Sequence, residues 1–187
     1  MKKPLGVIAY EGASVLTGEP IVLILNFKSA NDKTGNMVQS WILNQNENPV
    51  EATQSGNDEN ICGSCPHRHF LGGSCYVNVG QAPNSVYKGY KRGIYPKLSE
   101  HPELIKYFSN RRVRAGSYGD PAAIPAAIWA NLKAVSKGWT GYTHQVNHKN
   151  FDPEILNFAM VSADTPKSAL KAHQLGFRTF RVATPNA

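Results

Sequence analysis

The chain has 187 residues, enough for one domain with a real core and too few for two complete ones. Hydrophobic residues make up 41% and charged residues 18%, with 16 Gly and 12 Pro, which excludes a disordered or collagen-like chain and fits a loop-rich globular one. Twenty Lys and Arg against 13 Asp and Glu leave a net charge of +7, and all three cysteines fall between Cys62 and Cys75.

The first segment, 1–60, reads as β structure. Met1-Lys2-Lys3-Pro4 begins like a signal peptide, but Glu11 and Glu19 interrupt any apolar stretch, so the expected location is cytoplasmic. Ile21 to Phe27 is an apolar, β-rich run, and Met37 to Leu43 is a second. Separated by a polar connection over 29–36, the two predict an N-terminal β-hairpin with a long loop. The longest apolar run, Ile21 to Leu25, is far short of the roughly 20 residues of a membrane span. From Asn44 to Asn60 the chain is polar and turn-prone.

The second segment, 61–80, is a cysteine loop with the spacing C-x2-C-x9-C at Cys62, Cys65 and Cys75. Two cysteines two residues apart can wrap one metal centre, and Gly63, Gly72 and Gly73 let backbone N–H groups reach sulphur. A 4Fe-4S cluster held by three thiolates, with one iron left open, is the leading assignment. Zn2+ is the alternative, with His67 or His69 as the candidate fourth ligand that completes a Cys3His set. Three cysteines clustered in one loop do not form a disulfide framework and suit a reducing compartment. Asp58 and Glu59 stand near the cysteines and read as solvated loop acids, each a weak candidate for an iron contact.

The third segment, 81–110, is basic and helical, with helices predicted over Ala82–Arg92 and Pro102–Asn110. Between residues 86 and 115 there are eight basic and two acidic residues, a net +6. Lys88, Lys91, Arg92, Lys97, Lys106, Arg111, Arg112 and Arg114 alternate with Tyr87, Tyr90, Tyr95 and Tyr107. That pattern is compatible with nucleic-acid binding through cations and stacking rings. It is equally that of a solvated face whose tyrosines pack inward.

From 111 to 187 strands and helices alternate. Val113–Tyr118 is a predicted strand, Asp120-Pro121 opens a helix through Ala126, Trp129, Leu132 and Val135, and Gly138 stops it. Trp139–Thr143 and Phe158–Ser162 are further strands, Asp164-Thr165-Pro166 caps a helix over Lys167–Leu175, and Phe177–Val182 is the last strand. These βα units imply a single α/β domain with a partial (βα) barrel or an open curved, mainly parallel sheet, since 187 residues fall short of the roughly 250 of a complete eight-stranded barrel. Reactive groups in such folds collect at the C-terminal strand ends. Here those ends carry Ser117 and Asp120, then Thr143, His144 and Gln145, then Ser162 and Asp164. Asp120, His144 and Asp164 are the catalytic candidates, and Ser117, Thr143, Gln145 and Ser162 complete a substrate rim.

Four motifs occur in a fixed order: Cys62-Gly63-Ser64-Cys65-Pro66 with Gly73-Ser74-Cys75-Tyr76, Ala115 to Pro121, Gly141-Tyr142-Thr143-His144-Gln145, and Val161-Ser162-Ala163-Asp164. Over about residues 29–182 the chain resembles the bacteriophage family called gene product eighty-eight. The resemblance implies a phage-encoded protein acting in the host cytoplasm, with three cluster-binding cysteines and βα repeats similar to part of a radical S-adenosylmethionine barrel. Radical S-adenosylmethionine enzymes space their cysteines as CxxxCxxC, so that activity is not carried over to C-x2-C-x9-C, and S-adenosylmethionine stays a weakly supported cofactor. The functions expected are an iron-sulphur enzyme acting on an unidentified small molecule, an electron-transfer or redox-sensing protein with a redox partner, or a zinc-stabilised protein binding nucleic acid or a host factor. A Walker loop, a GxGxxG turn and a G-x-S-x-G elbow are all absent from the sequence.

Overall fold

The computed structural model describes residues 3–28 and 34–181. Residues 29–33 of the polar connection and Val182, the expected end of the last strand, lie outside the described residues. The expected N-terminal hairpin is present: β2 (Pro20–Asn26) pairs antiparallel with β3 (Val38–Asn44), with Leu23 opposite Ile42. Five consecutive residues of β2, Ile21 to Leu25, are buried, as a strand covered on both faces requires. A preceding strand, β1 (Gly6–Ala13), also pairs antiparallel with β2. It escaped the sequence reading because a register shift between Ile8 and Tyr10 breaks the two-residue alternation that marks a strand.

Beyond the hairpin the pairing turns parallel. β4 (Arg112–Tyr118) lies beside β3, and β5 (Gly138–Thr140) beside β4, so the first sheet runs β1-β2-β3-β4-β5. The second sheet is parallel throughout, in the order β6 (Tyr142–Thr143), β7 (Met160–Ser162), β8 (Thr179–Phe180). The fold is therefore a mixed α/β one whose strands do not close into a barrel among the described residues. The single strand expected over 139–143 is divided at Gly141. A Cβ there would stand 2.6 Å from the Ala115 carbonyl oxygen, and the Gly141 carbonyl instead accepts from Met160 N at 2.8 Å. The chain thus passes from β4 to β7 across one residue that lacks a side chain.

Three helix expectations need correction. Pro49–Ser55 forms α1 inside the stretch read as turns. Its seven residues are too few to show a helical period, although the Asn48 side chain caps the N–H groups of Val50 and Glu51. Pro102–Phe108 is a 3-10 helix rather than an α-helix. Asp120 opens only a 3-10 turn over Pro121–Ala123, and the α-helix starts anew at Ala126 and ends at Lys133. In chain order α2 is Glu59–Cys62, α3 Ala82–Lys91, α4 Ala126–Lys133 and α5 Pro166–Gln174. Val7, Ile24, Leu43, Phe108, Trp129 and Leu132 belong to one buried apolar cluster between the first sheet and its helices. No helix among the described residues is long and apolar enough to cross a membrane.

Candidate metal centre

The cysteine loop is built around a buried guanidinium. Arg68 donates from Nε and Nη2 to Asp58 Oδ1 at 3.0 and 2.7 Å, from Nη1 to the Gly63 carbonyl at 3.1 Å, and from Nη2 to the Gly56 carbonyl at 2.6 Å. Asp58 is only 2% exposed, which corrects its reading as a solvated acid: a charge this deep persists because a partner neutralises it. Cys62 ends α2, and the chain then turns through Gly63 at φ 53°. A Cβ on Gly63 would come within 2.3 Å of Gln145 Oε1. Gln145 uses that closeness, donating from Nε2 to the Cys62 carbonyl at 2.8 Å and accepting through Oε1 from Ser64 N and Ser64 Oγ at 3.2 Å each. The loop returns on itself through Cys75 N to His67 O at 2.9 Å and Gly73 N to Arg68 O at 3.0 Å.

All three thiols are free and half-buried. Burial pushes Cys65 up to about 11, reinforced by the charges of Asp120, Cys75 and Asp164 and opposed by a hydrogen bond from the His67 N–H. Cys75 is raised by burial as well, against a hydrogen bond from the Val77 N–H. Cys62 is raised furthest, by burial and by Asp58, Cys65, Asp120 and Cys75. The His67 and Val77 N–H groups thus favour the thiolates of Cys65 and Cys75, while Arg68, the guanidinium that feels Cys62, is committed to Asp58. The hydroxyl of Tyr118 is buried without a hydrogen-bond partner among the described residues, and it feels the charges of Cys62, Asp58 and Cys75.

The rim expected at the strand ends is partly assembled. Asp120 is buried and accepts from Ala122 N at 3.0 Å and His144 N at 2.9 Å; burial raises its pKa, partly offset by these bonds and one from Thr143. Thr143 Oγ1 accepts from Gln145 N at 3.0 Å. His144 Nε2 lies 3.2 Å from Asp164 Oδ1, and His67 Nε2 meets the same oxygen at 3.0 Å. Burial opposes ionisation of Asp164, but the bonds from His67 and His144 outweigh it and hold its pKa below the usual value. Ser64, Pro66, His144, Ser162, Asp164 and Lys171 line a cavity of about 450 Å3. Ser117 does not join this group; it donates to Gln39 Oε1 at 2.8 Å. Of the two histidines weighed as fourth ligands, His69 faces the Val77 carbonyl at 2.9 Å, whereas His67 is held between Ser74 Oγ at 2.9 Å and Asp164.

Tyr118, Arg68 and a tyrosine pair were missed by the sequence reading. Tyr76 and Tyr142 share a short hydroxyl contact, Arg114 Nη2 donates to Tyr76 at 2.6 Å, and Tyr142 stacks on Phe180. Their positions beside cysteine and strand-end motifs are the one signal that would have flagged Tyr76, Tyr118 and Tyr142.

The basic segment is partly engaged within the fold. Lys97 pairs with Glu11 at 2.7 Å, and Arg111 Nη2 donates to the carbonyls of Phe27 and Asn36 at 2.7 and 2.8 Å. Tyr95 is buried, and Tyr87, Tyr90 and Tyr107 pack against the core. Lys88, Lys91, Arg92, Lys106 and Arg112 stay exposed.

No family model, curated protein or solved structure matches the chain.

Proposed function

We propose that this chain is an iron-sulphur protein that binds one 4Fe-4S cluster through Cys62, Cys65 and Cys75 and acts on a small molecule held at the rim of His144, Ser162 and Asp164. The observation that carries it is the Tyr118 hydroxyl, a buried donor with no acceptor among the described residues that feels the charges of Cys62, Asp58 and Cys75: a cluster sulphide is an acceptor that would satisfy it. The backbone N–H groups on Cys65 and Cys75 support the same reading, because hydrogen bonds to sulphur tune such clusters. Sulphurs on one tetrahedral zinc stand about 3.8 Å apart, as Zn–S bonds of about 2.3 Å require. The three thiols are not among the groups of described residues whose ligand atoms all lie within 4.8 Å of one another. C-x2-C-x9-C gives S-adenosylmethionine no preference over other small molecules.

The test is anaerobic reconstitution with ferrous iron and sulphide. Expected are four irons and four acid-labile sulphides per chain, as the 4Fe-4S formula requires, with the broad visible absorbance of a cluster, all lost in Cys65→Ser. Zinc bound without labile sulphide overturns the assignment. A second reading, electron transfer, is favoured by Cys75, which with His69 and Tyr76 lines a separate depression of about 350 Å3 and would bring a cluster edge toward solvent. A reversible one-electron couple that no small molecule perturbs would select it.

A further inference from the structure

Outside the three thiols, one group of metal-ligating atoms stands apart among the described residues: His67, His144 and Asp164, whose ligand atoms all lie within 4.8 Å of one another. They come from three separate parts of the chain, the cysteine loop, the turn after β6 and the turn after β7. Nitrogen and oxygen ligands about 2.0–2.2 Å from a common ion stand roughly 3.0–3.5 Å apart at octahedral or tetrahedral angles. The two distances to Asp164 Oδ1, 3.0 and 3.2 Å, fall in that range. Both imidazoles present Nε2 to the same point. Ser74 Oγ sits 2.9 Å from His67 Nδ1, the outer contact of a ligating histidine, and buried Asp120 fixes the backbone of His144.

We propose that His67, His144 and Asp164 form a mononuclear site for a divalent transition metal, separate from the cysteine centre, with open coordination positions facing the 450 Å3 cavity. Two histidines and one carboxylate are a donor set for Fe2+, Co2+ or Zn2+, and three protein ligands leave room for an exogenous one. Lys171 on the cavity wall selects a small anionic ligand, a carboxylate or phosphate whose oxygen coordinates the ion while its charge meets the ammonium group. The site needs no cluster in the cysteine loop, so it stands or falls independently of the iron-sulphur assignment.

Cobalt is the probe, with oxalate as the anion. Reduced Cys75→Ser protein is expected to bind one equivalent of Co2+ with weak visible d–d bands and no thiolate-to-cobalt charge transfer. The bands should vanish in Asp164→Asn and His144→Gln on the same background, both of which should keep their far-ultraviolet circular dichroism. Asp164 is exposed, so its amide should not disturb folding. Oxalate should perturb the bands, and Lys171→Ala should weaken oxalate binding at least fivefold. Failure to bind cobalt, bands that survive both substitutions, or bands with thiolate character would overturn the site. Bands that ignore oxalate would overturn its open coordination.

Discussion

Tyr118 is 4% exposed, yet its hydroxyl has no partner among the described residues. An unsatisfied buried hydroxyl costs about 1–3 kcal/mol. Tyr118→Phe should therefore leave the metal-free protein equally stable or more stable by up to about that amount, read from the urea midpoint. In cluster-loaded protein the same change removes a donor to sulphur, so the reduction potential should fall; an unchanged potential would remove Tyr118 from the site. Cysteine identity and spacing were visible in the sequence, and His144 and Asp164 stood out as polar strand ends. Burial was not visible. Asp58 looked solvated because its partner, Arg68, is ten residues away and the turn that unites them has no motif. His67 was weighed for its closeness to Cys65 along the chain, whereas its Nε2 meets Asp164, 97 residues on.

At the scale of elements, strands declared themselves where burial was two-sided. The unbroken apolar run of β2 and the β-rich β3 were read correctly as a hairpin. β1 was lost to its irregular register, and α1 to its shortness. The division of the 139–143 strand was hidden because both halves are β-prone and only the backbone approach to Ala115 separates them. That approach predicts the effect of Gly141→Ala. A methyl group 2.6 Å from the Ala115 carbonyl oxygen cannot be accommodated without moving β4 or β6, so the variant should lose roughly 1–3 kcal/mol in urea denaturation. Because His144 directly follows β6, cobalt binding should weaken with it; a Gly141→Ala protein of native stability would show that the two strands can part at no cost.

Across the whole molecule, part of the positive charge noted in the sequence is engaged within the fold. Lys97 is engaged with Glu11, Lys91 and Arg111 with backbone carbonyls, and Arg114 with Tyr76, which leaves Lys88, Arg92, Lys106 and Arg112 as the exposed cations of the 86–115 segment without such a bond. The mixed architecture was legible from the alternation of strand and helix patterns after residue 111. The separation into two sheets was not, because it depends on backbone pairing rather than on residue type. The smaller sheet has strands of two and three residues, and α5 buries only Ala172, with Leu170 and Leu175 exposed. The larger sheet has β2, buried from Ile21 to Leu25, at an interior position between β1 and β3.

Those differences set an order of opening. Amide hydrogens in Met160–Ser162 and Thr179–Phe180 should exchange with deuterium well before those of Ile21–Leu25, because short strands with little buried area open at a lower free energy than the global transition. Asp164 belongs to this early-opening part and His67 to the cysteine loop, so a metal ion held by both would act as a clasp across the boundary. Mass spectrometry should then show slower deuterium uptake over 160–180 when zinc is added, and no slowing in Asp164→Asn. The hand-over at Gly141 would thereby make the C-terminal sheet a latch whose closure is recorded in its own exchange rate.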